Sequence, residues 1–242
     1  MNSIKHRESG NMMLNDYEHF SEAYAAVVDR KPIHTLYERP NTWALLPKHL
    51  NGLQVLDLGC GTGWYAEQLI QEQAQVTAID ISNQMVTLTK QRIQNRGTCI
   101  QLSAETIASY FPPESFDLII APLVIHYIKD WKHLFQQIAT LLKNNGYCIF
   151  STHQPHTVAS LFQLPDYFAT QLIEDKWDSP PVTVHYYHQP LAQLFTSIHQ
   201  SGLILDRFIE PEPSDLMLKS DSKLYYQLKK SPWFLFCRLI KK

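Results

Sequence analysis

Ten residues constrain this chain more than any others: Val55-Leu56-Asp57-Leu58-Gly59-Cys60-Gly61-Thr62-Gly63-Trp64. A short apolar run, the pattern of a buried strand, enters a glycine-rich turn and a helical pattern leaves it. Glycine lets a backbone turn tightly and approach a ligand with no Cβ in the way. A strand, a glycine turn and a helix in that order open an α/β unit, and in open parallel sheets ligands bind beyond the carboxyl ends of the strands, where strand order reverses.

The rest of the chain extends this unit. Apolar runs at Gln54–Leu58, Gln75–Asp80, Thr98–Leu102, Phe116–Ala121 and Tyr147–Ser151 read as strands. Helices are predicted over Trp64–Glu72, from an N-cap at Ser82 to Arg96 with Gly97 ending it, and over Trp131–Leu142, with Gly146 just beyond. Strands separated by helices imply a parallel sheet covered on both faces, and right-handed crossovers make it doubly wound. Before it, residues 1–15 are polar and expected to fray, and Asn15–Leu50 suggests two helices punctuated by Pro32 and Pro40. After it, His153–Pro190 shows no clean period and reads as an excursion over the site. Leu191–Ser201 returns to helix with Gly202 as its cap, and Ile204–Glu210 and Trp233–Ile240 supply closing strands. The expected organisation is an N-terminal helical cap (1–50), a cofactor-binding α/β core (51–153), a substrate-covering insertion (154–190) and a C-terminal helix and strands completing the core (191–242).

The glycine turn departs from the dinucleotide fingerprint G-x-G-x-x-G: the third glycine comes one residue early, and Trp64 stands where it is needed. Asp57, just before the turn, would repel a pyrophosphate but suits a ligand carrying an ammonium or sulfonium group. That distinction favours S-adenosylmethionine over NAD or FAD. Asp80 ends the second strand about 20 residues on, where an acid accepts hydrogen bonds from ribose hydroxyls; the plainer reading is an acid at a helix N-terminus.

These residues resemble the class I S-adenosylmethionine-dependent methyltransferases, specifically the small-molecule group called methyltransferase type 11, over roughly Tyr17–Ile240. The quoted turn is similar to that family's first motif, and Asp80-Ile81-Ser82-Asn83-Gln84-Met85 to its second. Ser103-Ala104-Glu105 falls where the family often has Asp-Ala-Glu at adenine, with serine as a departure. Phe116–Ala121 resembles the fourth-strand motif, and Pro122–Tyr127 the loop bordering the methionine end and the substrate. The resemblance implies a Rossmann-like, mostly parallel seven-stranded sheet with an antiparallel last strand, and transfer of a methyl group to a small-molecule acceptor, leaving S-adenosylhomocysteine. It implies that Asp57, Gly59, Cys60 and Gly61 hold the methionine end and Asp80 the ribose. Ile81, Met85, Ala104 and Glu105 would then lie about the adenine, with Ala121 and Pro122 beside the reacting centre. Tyr24, with Tyr17 and Phe20 in the N-terminal helices, is a further candidate cofactor contact.

Methyl transfer is an in-line displacement at an activated carbon, so positioning does much of the work; a general base is needed only where the nucleophile sheds a proton. His126 and His153, just past the fourth and fifth strands, are the candidates for that role, with loop packing as the rival reading. Aromatics of the excursion (Phe162, Tyr167, Phe168, Trp177, Tyr186, Tyr187) could wall a pocket or simply pack the lid. The pairs His153/His156 and His185/His188 invite a metal, but Pro155 argues against a helix there, and no carboxylate or cysteine cluster completes a ligand set; no metal is expected.

The formal charge of −2 and scattered basic residues disfavour nucleic acid as a partner. Four separated cysteines, no apolar leader and no apolar run near the roughly 18 residues of a membrane span point to a cytoplasmic protein. Two rival functions remain at this level: a non-catalytic S-adenosylmethionine-binding protein, and a nucleotide-dependent oxidoreductase on a similar fold. The sequence sets neither the acceptor nor the oligomeric state.

Overall fold

The computed structural model describes Asn15 and residues 17–242; apart from Asn15, the segment expected to fray lies outside the described residues, as does the Tyr17 side chain. The chain opens with α1 (Tyr17–Val28), then a π-helical turn (Ile33–Glu38) that runs directly into α2 (Arg39–Trp43). Pro40 therefore does not separate two helices as expected. It lies at the junction of the π-helical turn and α2, inside one continuous helical run.

The alternating units follow: β1 (Gln54–Leu58), α3 (Trp64–Gln71), β2 (Gln75–Asp80), α4 (Asn83–Arg92), β3 (Thr98–Gln101), α5 (Ile107–Tyr110), β4 (Phe116–Pro122), α6 (Trp131–Leu141) and β5 (Leu142–His153). Ser82 caps α4, its hydroxyl accepting from the Met85 N–H at 3.2 Å. The helix ends at Arg92 rather than Arg96, because Gln94 and Asn95 turn into the left-handed region at φ +53° and +56°. Gly97 is then required by close approach rather than as a cap, since a Cβ there would lie 2.9 Å from the Val76 carbonyl. Gly146 likewise sits within β5, which starts straight from α6 and is longer than expected.

The sheet order is β3-β2-β1-β4-β5-β9-β8. The first five strands pair in parallel; β9 (Phe234–Ile240) is antiparallel to both β5 and β8 (Ile204–Ile209). Strand order reverses between β1 and β4, which puts the crevice at the carboxyl ends of those two strands. Alternation along β4 sends Ile119 and Ala121 into one core layer, with α6, and Leu118 and Ile120 into the other, with α3. A strand buried on both faces reads as a continuous apolar run, which is why β4 has no alternating signature.

Residues 154–190 are more regular than their sequence suggests. They form α7 (Pro155–Leu161) and a separate antiparallel hairpin, β6 (Gln171–Asp178) with β7 (Pro181–His188). Pro155 starts α7 instead of preventing it, and Gln154 caps the helix, its Oε1 accepting from the Thr157 N–H at 2.8 Å. The hairpin buries Ile173 and its cross-strand partner Tyr186 against Val158 of α7. α8 (Leu191–Gln200) then packs beside α6, with Gly202 at φ +81° just past it. Two helices not anticipated, α9 (Asp215–Ser220) and α10 (Ser222–Lys230), connect β8 to β9. Among the described residues no helix is long and apolar enough to cross a membrane.

Candidate active site

At the switch point lies a cavity of about 880 Å³, walled by the glycine turn, the ends of β2, β4 and β5, the N-terminal cap and the hairpin. Single-ligand pockets span roughly 300–1,000 Å³, so this volume suits a cofactor with a second small molecule beside it.

The glycine turn is built from three positive-φ residues, Gly59 (+71°), Gly61 (+53°) and Gly63 (+80°). A Cβ at Gly59 would meet Val124 at 2.4 Å, and one at Gly63 would meet Thr89 at 2.9 Å, whereas Gly61 faces open space. The outer two glycines thus serve packing and the middle one leaves room for a ligand. The Thr89 hydroxyl donates to the Gly61 carbonyl at 2.9 Å, and the Gly59 and Cys60 N–H groups donate to the Ile79 carbonyl at 2.8 and 2.9 Å. These bonds hold the turn against α4 and β2.

Two acids face the cavity, Asp57 buried and Asp80 half-buried. Asp80 accepts from the Gly61 N–H at 2.9 Å with one oxygen and from the Ser82 N–H at 2.9 Å with the other. Burial raises its pKa to about 6, those same N–H groups opposing the rise. Asp57 is more exceptional: 1% exposed, with Oδ2 buried and lacking any hydrogen-bond partner. Burial, and then the neighbouring Asp80 charge, lift its pKa to about 7. An orphaned carboxylate oxygen at a cavity wall costs stability unless a cation meets it. An α-ammonium is such a cation, so these residues fit S-adenosylmethionine on the chemistry of the donor set.

A third acid, Glu38 at the end of the π-helical turn, was not foreseen. It is buried and accepts hydroxyls from Ser151 (2.7 Å), Thr42 (2.8 Å) and Tyr65 (2.9 Å). Burial raises its pKa and the three hydroxyls hold it down. Ser151 in turn accepts from the Leu123 N–H at 3.0 Å. The cap is thereby tied to β5 and to the loop after β4. Arg39 lies over the Trp64 ring, 4.4 Å from its centroid, and pairs with Asp29 at 2.6 Å.

At the far end, His126 and His153 stack with centroids 4.2 Å apart. Tyr186 stands edge-on to His153 at 4.3 Å, and Phe234 covers its other face at 5.7 Å. His126 Nδ1 meets the Thr152 hydroxyl at 3.3 Å. Burial lowers the pKa of His153 to about 4; burial and then the His153 charge hold His126 well below the usual histidine range. Both rings are neutral at pH 7.

The structure gathers Tyr24, Asp57, Gly59, Cys60, Gly61, Asp80, Ile81, Met85, Ala104, Glu105, Pro122, His126 and His153 around this one cavity. Ala121 is the exception: it is fully buried in the core layer beneath α6, because its strand position points away from the crevice, and only the next residue, Pro122, reaches the wall. Ser103 caps the turn at Ala104–Thr106, its hydroxyl accepting from the Glu105 N–H at 3.2 Å. Of the excursion's aromatics, Trp177, Tyr186 and Tyr187 line the cavity, while Phe162, Tyr167 and Phe168 do not. His156 stacks on Tyr167 at 4.3 Å, and His185 lies 3.8 Å from Glu174 on the hairpin. Among the described residues no group of three or more ligating side chains is placed to hold a metal.

Known proteins share this sequence pattern and fold. The description "Methyltransferase domain" matches residues 56–150. The chain is 31% identical over 223 residues to an uncharacterised protein of Haemophilus influenzae, covering 83% of this chain and 86% of that one. It is 30% identical over 209 residues to the ubiquinone biosynthesis O-methyltransferase of Paraburkholderia phymatum, covering 82% and 86%. A crystal structure of a Listeria monocytogenes protein assigned as an S-adenosylmethionine-dependent methyltransferase superposes with a TM-score of 0.74 at 25% identity, over 85% of this chain and 96% of that one. The chain belongs to the S-adenosylmethionine-dependent methyltransferase family. It is an enzyme that moves a methyl group from S-adenosylmethionine to a small-molecule acceptor, and the family assignment speaks against the oxidoreductase reading.

Proposed function

We propose that the acceptor is a small aromatic molecule methylated on a hydroxyl oxygen, which binds at the aromatic end of the cavity and gives its proton to His153. The observation that carries this reading is the stacked His126–His153 pair at the cavity wall between Tyr186 and Phe234. A neutral imidazole offers a lone pair to an O–H, and flat aromatic walls favour a planar ring. The P. phymatum relative, named for O-methylation in ubiquinone biosynthesis, supports an oxygen nucleophile.

S-adenosylmethionine supplies a methyl carbon already activated by its sulfonium. In this reading Asp57 pairs with the ammonium of the methionine end, beside Gly59, Cys60 and Gly61. Asp80 accepts from the ribose, and Ile81, Met85, Ala104 and Glu105 border the adenine. Pro122 lies beside the reacting centre and Tyr24 closes over the cofactor from the cap. Residues 1–50 act as the cap, 51–153 and 191–242 as the core, and 154–190 as the substrate cover, consistent with the hairpin's Trp177 and Tyr186 lining the cavity. Four free cysteines support a reducing, cytoplasmic setting.

The test pairs binding with turnover. Calorimetry with S-adenosylhomocysteine should give micromolar affinity in the wild type and its loss in Asp80→Ala. Labelled S-adenosylmethionine is then offered with phenols, catechols, amines and carboxylates. Turnover of phenols or catechols, lost in His153→Ala, is expected; turnover confined to amines or carboxylates would sink the hydroxyl reading.

A further inference from the structure

Behind the stacked histidines lies a second, far smaller void of about 10 Å³, bounded by His126, His153, Thr152, His188 and Gln189 among others. It is the size of one water, which needs roughly 10–15 Å³ measured this way and two to four polar partners. The polar wall matters most at His188, the last residue of β7 and 2% exposed. Its Nε2 lies 2.8 Å from the Tyr167 carbonyl. A carbonyl can only accept, so Nε2 carries the hydrogen, and in the Nε2–H tautomer Nδ1 is a bare lone pair. That Nδ1 is buried with no partner, one of only two such side-chain atoms among the described residues. The other is Asp57 Oδ2, already read as the cofactor's anchor.

We propose that this void binds a single water that donates to His188 Nδ1, and that His188 acts through it as a second proton acceptor behind the crevice histidines. The inference rests on the hydroxyl reading above. As the acceptor oxygen takes the methyl group, its O–H bond breaks with the electron pair kept on oxygen, and the proton passes to the His153 ring. From there it passes to the water, and a proton of that water moves to His188 Nδ1. The resulting imidazolium keeps its Nε2–H on the Tyr167 carbonyl, a hydrogen bond that strengthens when the donor is charged. One proton has then moved from the acceptor oxygen to His188 and His153 is receptive again; the proton returns through the same water and His153 to the crevice once product leaves.

The test starts without any acceptor. A crystal structure of the wild type with S-adenosylhomocysteine should show an ordered water about 3 Å from His188 Nδ1, in reach of Thr152 Oγ1 or a ring nitrogen of His126 or His153. Nitrogen-15 NMR of histidine-labelled protein should report His188 as the Nε2–H tautomer. An empty void, or the Nδ1–H tautomer, overturns the proposal. Kinetics with a catechol probe then compares wild type with His188→Phe and His188→Gln. The expected result is a fall in kcat of roughly tenfold in the phenylalanine variant, within the range of general acid–base effects, with S-adenosylhomocysteine affinity unchanged. The solvent deuterium isotope effect should change with it, and the glutamine variant should recover part of the rate. Unchanged kcat and isotope effect in both variants would also overturn it. A wild type inert toward catechols counts against the hydroxyl reading alone, since the water and the tautomer are read independently of turnover.

Discussion

Asp57 is where a single residue carries the most testable chemistry. Its folded pKa of about 7 stands well above the ordinary carboxylate value of 3.8, owing first to burial and then to Asp80. A carboxyl with a raised folded pKa makes the folded chain bind more protons than the unfolded one, so the stability it lends is full below about pH 4 and is lost as pH rises through about 7. Asp57→Asn removes that liability while leaving the shape of the site. Thermal unfolding at pH 8 should therefore show a ligand-free variant at least as stable as the wild type. The same change deletes the charge that meets the ammonium, and calorimetry should show S-adenosylhomocysteine affinity down roughly 10- to 100-fold, the scale of one charged hydrogen bond. In the wild type the ligand's cation favours ionised Asp57, so affinity should weaken by up to tenfold per pH unit below about 7. Titrations at pH 6.5 in two buffers of different ionisation enthalpy should reveal protons released on binding. Equal heats in the two buffers would mean that binding does not ionise Asp57, which overturns its raised pKa as the source of the pH dependence.

At the scale of elements, the glycine turn separates packing from binding within three residues. Gly59→Ala drives a Cβ to 2.4 Å from the branched Val124 side chain at φ +71°, so overpacking adds to the left-handed penalty. A loss of about 2–4 kcal/mol in denaturant unfolding is expected. Gly61→Ala meets no protein atom within 4 Å and should lose only about 1–2 kcal/mol from its φ of +53°. Its methyl would nevertheless occupy the ligand's side of the turn, and affinity for S-adenosylhomocysteine should drop more than tenfold. The turn and β1–β5 were legible because each strand is a short apolar run closed by a glycine, an aspartate or a turn, and the helices between keep a helical period. The hairpin was not, because β6 carries Glu174, Asp175 and Lys176 in its middle and buries only Ile173 deeply, which leaves no apolar alternation to read. Pro155 misled for the opposite reason: a residue that breaks helix interiors is well suited to a first turn. Glu38 gave no local signal at all, since its three hydroxyl donors come from α2, α3 and β5 and exist as a set only after folding.

Across the whole molecule, the cavity roof joins segments that are remote in sequence and share little core. The buried Asn15 amide donates to the His185 carbonyl at 2.8 Å and accepts from the His185 N–H at 2.5 Å, a closed pair of bonds 170 residues apart. Tyr24 stacks on Trp177 at 6.1 Å, and Lys31 Nζ lies 5.4 Å from the same indole centroid. On its other side the cap reaches the cofactor half, where Glu18 accepts from the Asn83 N–H at 2.6 Å and from the Gln84 N–H at 3.3 Å. The cap therefore touches both the start of α4 and the hairpin. The hairpin is a two-stranded sheet with few buried apolar residues, and such a unit is marginal by itself, so its closed position depends on these ties. Cutting them at Asn15 should release the hairpin without unfolding the core. Asn15→Ala removes two hydrogen bonds worth about 1 kcal/mol each, and hydrogen exchange at β6 and β7 should quicken by roughly 10- to 30-fold while β1, β4 and β5 exchange as before. If the acceptor is covered by the hairpin, the same variant should raise the acceptor's KM more than that of S-adenosylmethionine. Unaltered hairpin exchange would show that the Tyr24 and Lys31 contacts on Trp177, with Tyr186 packed on α7, hold the roof without Asn15.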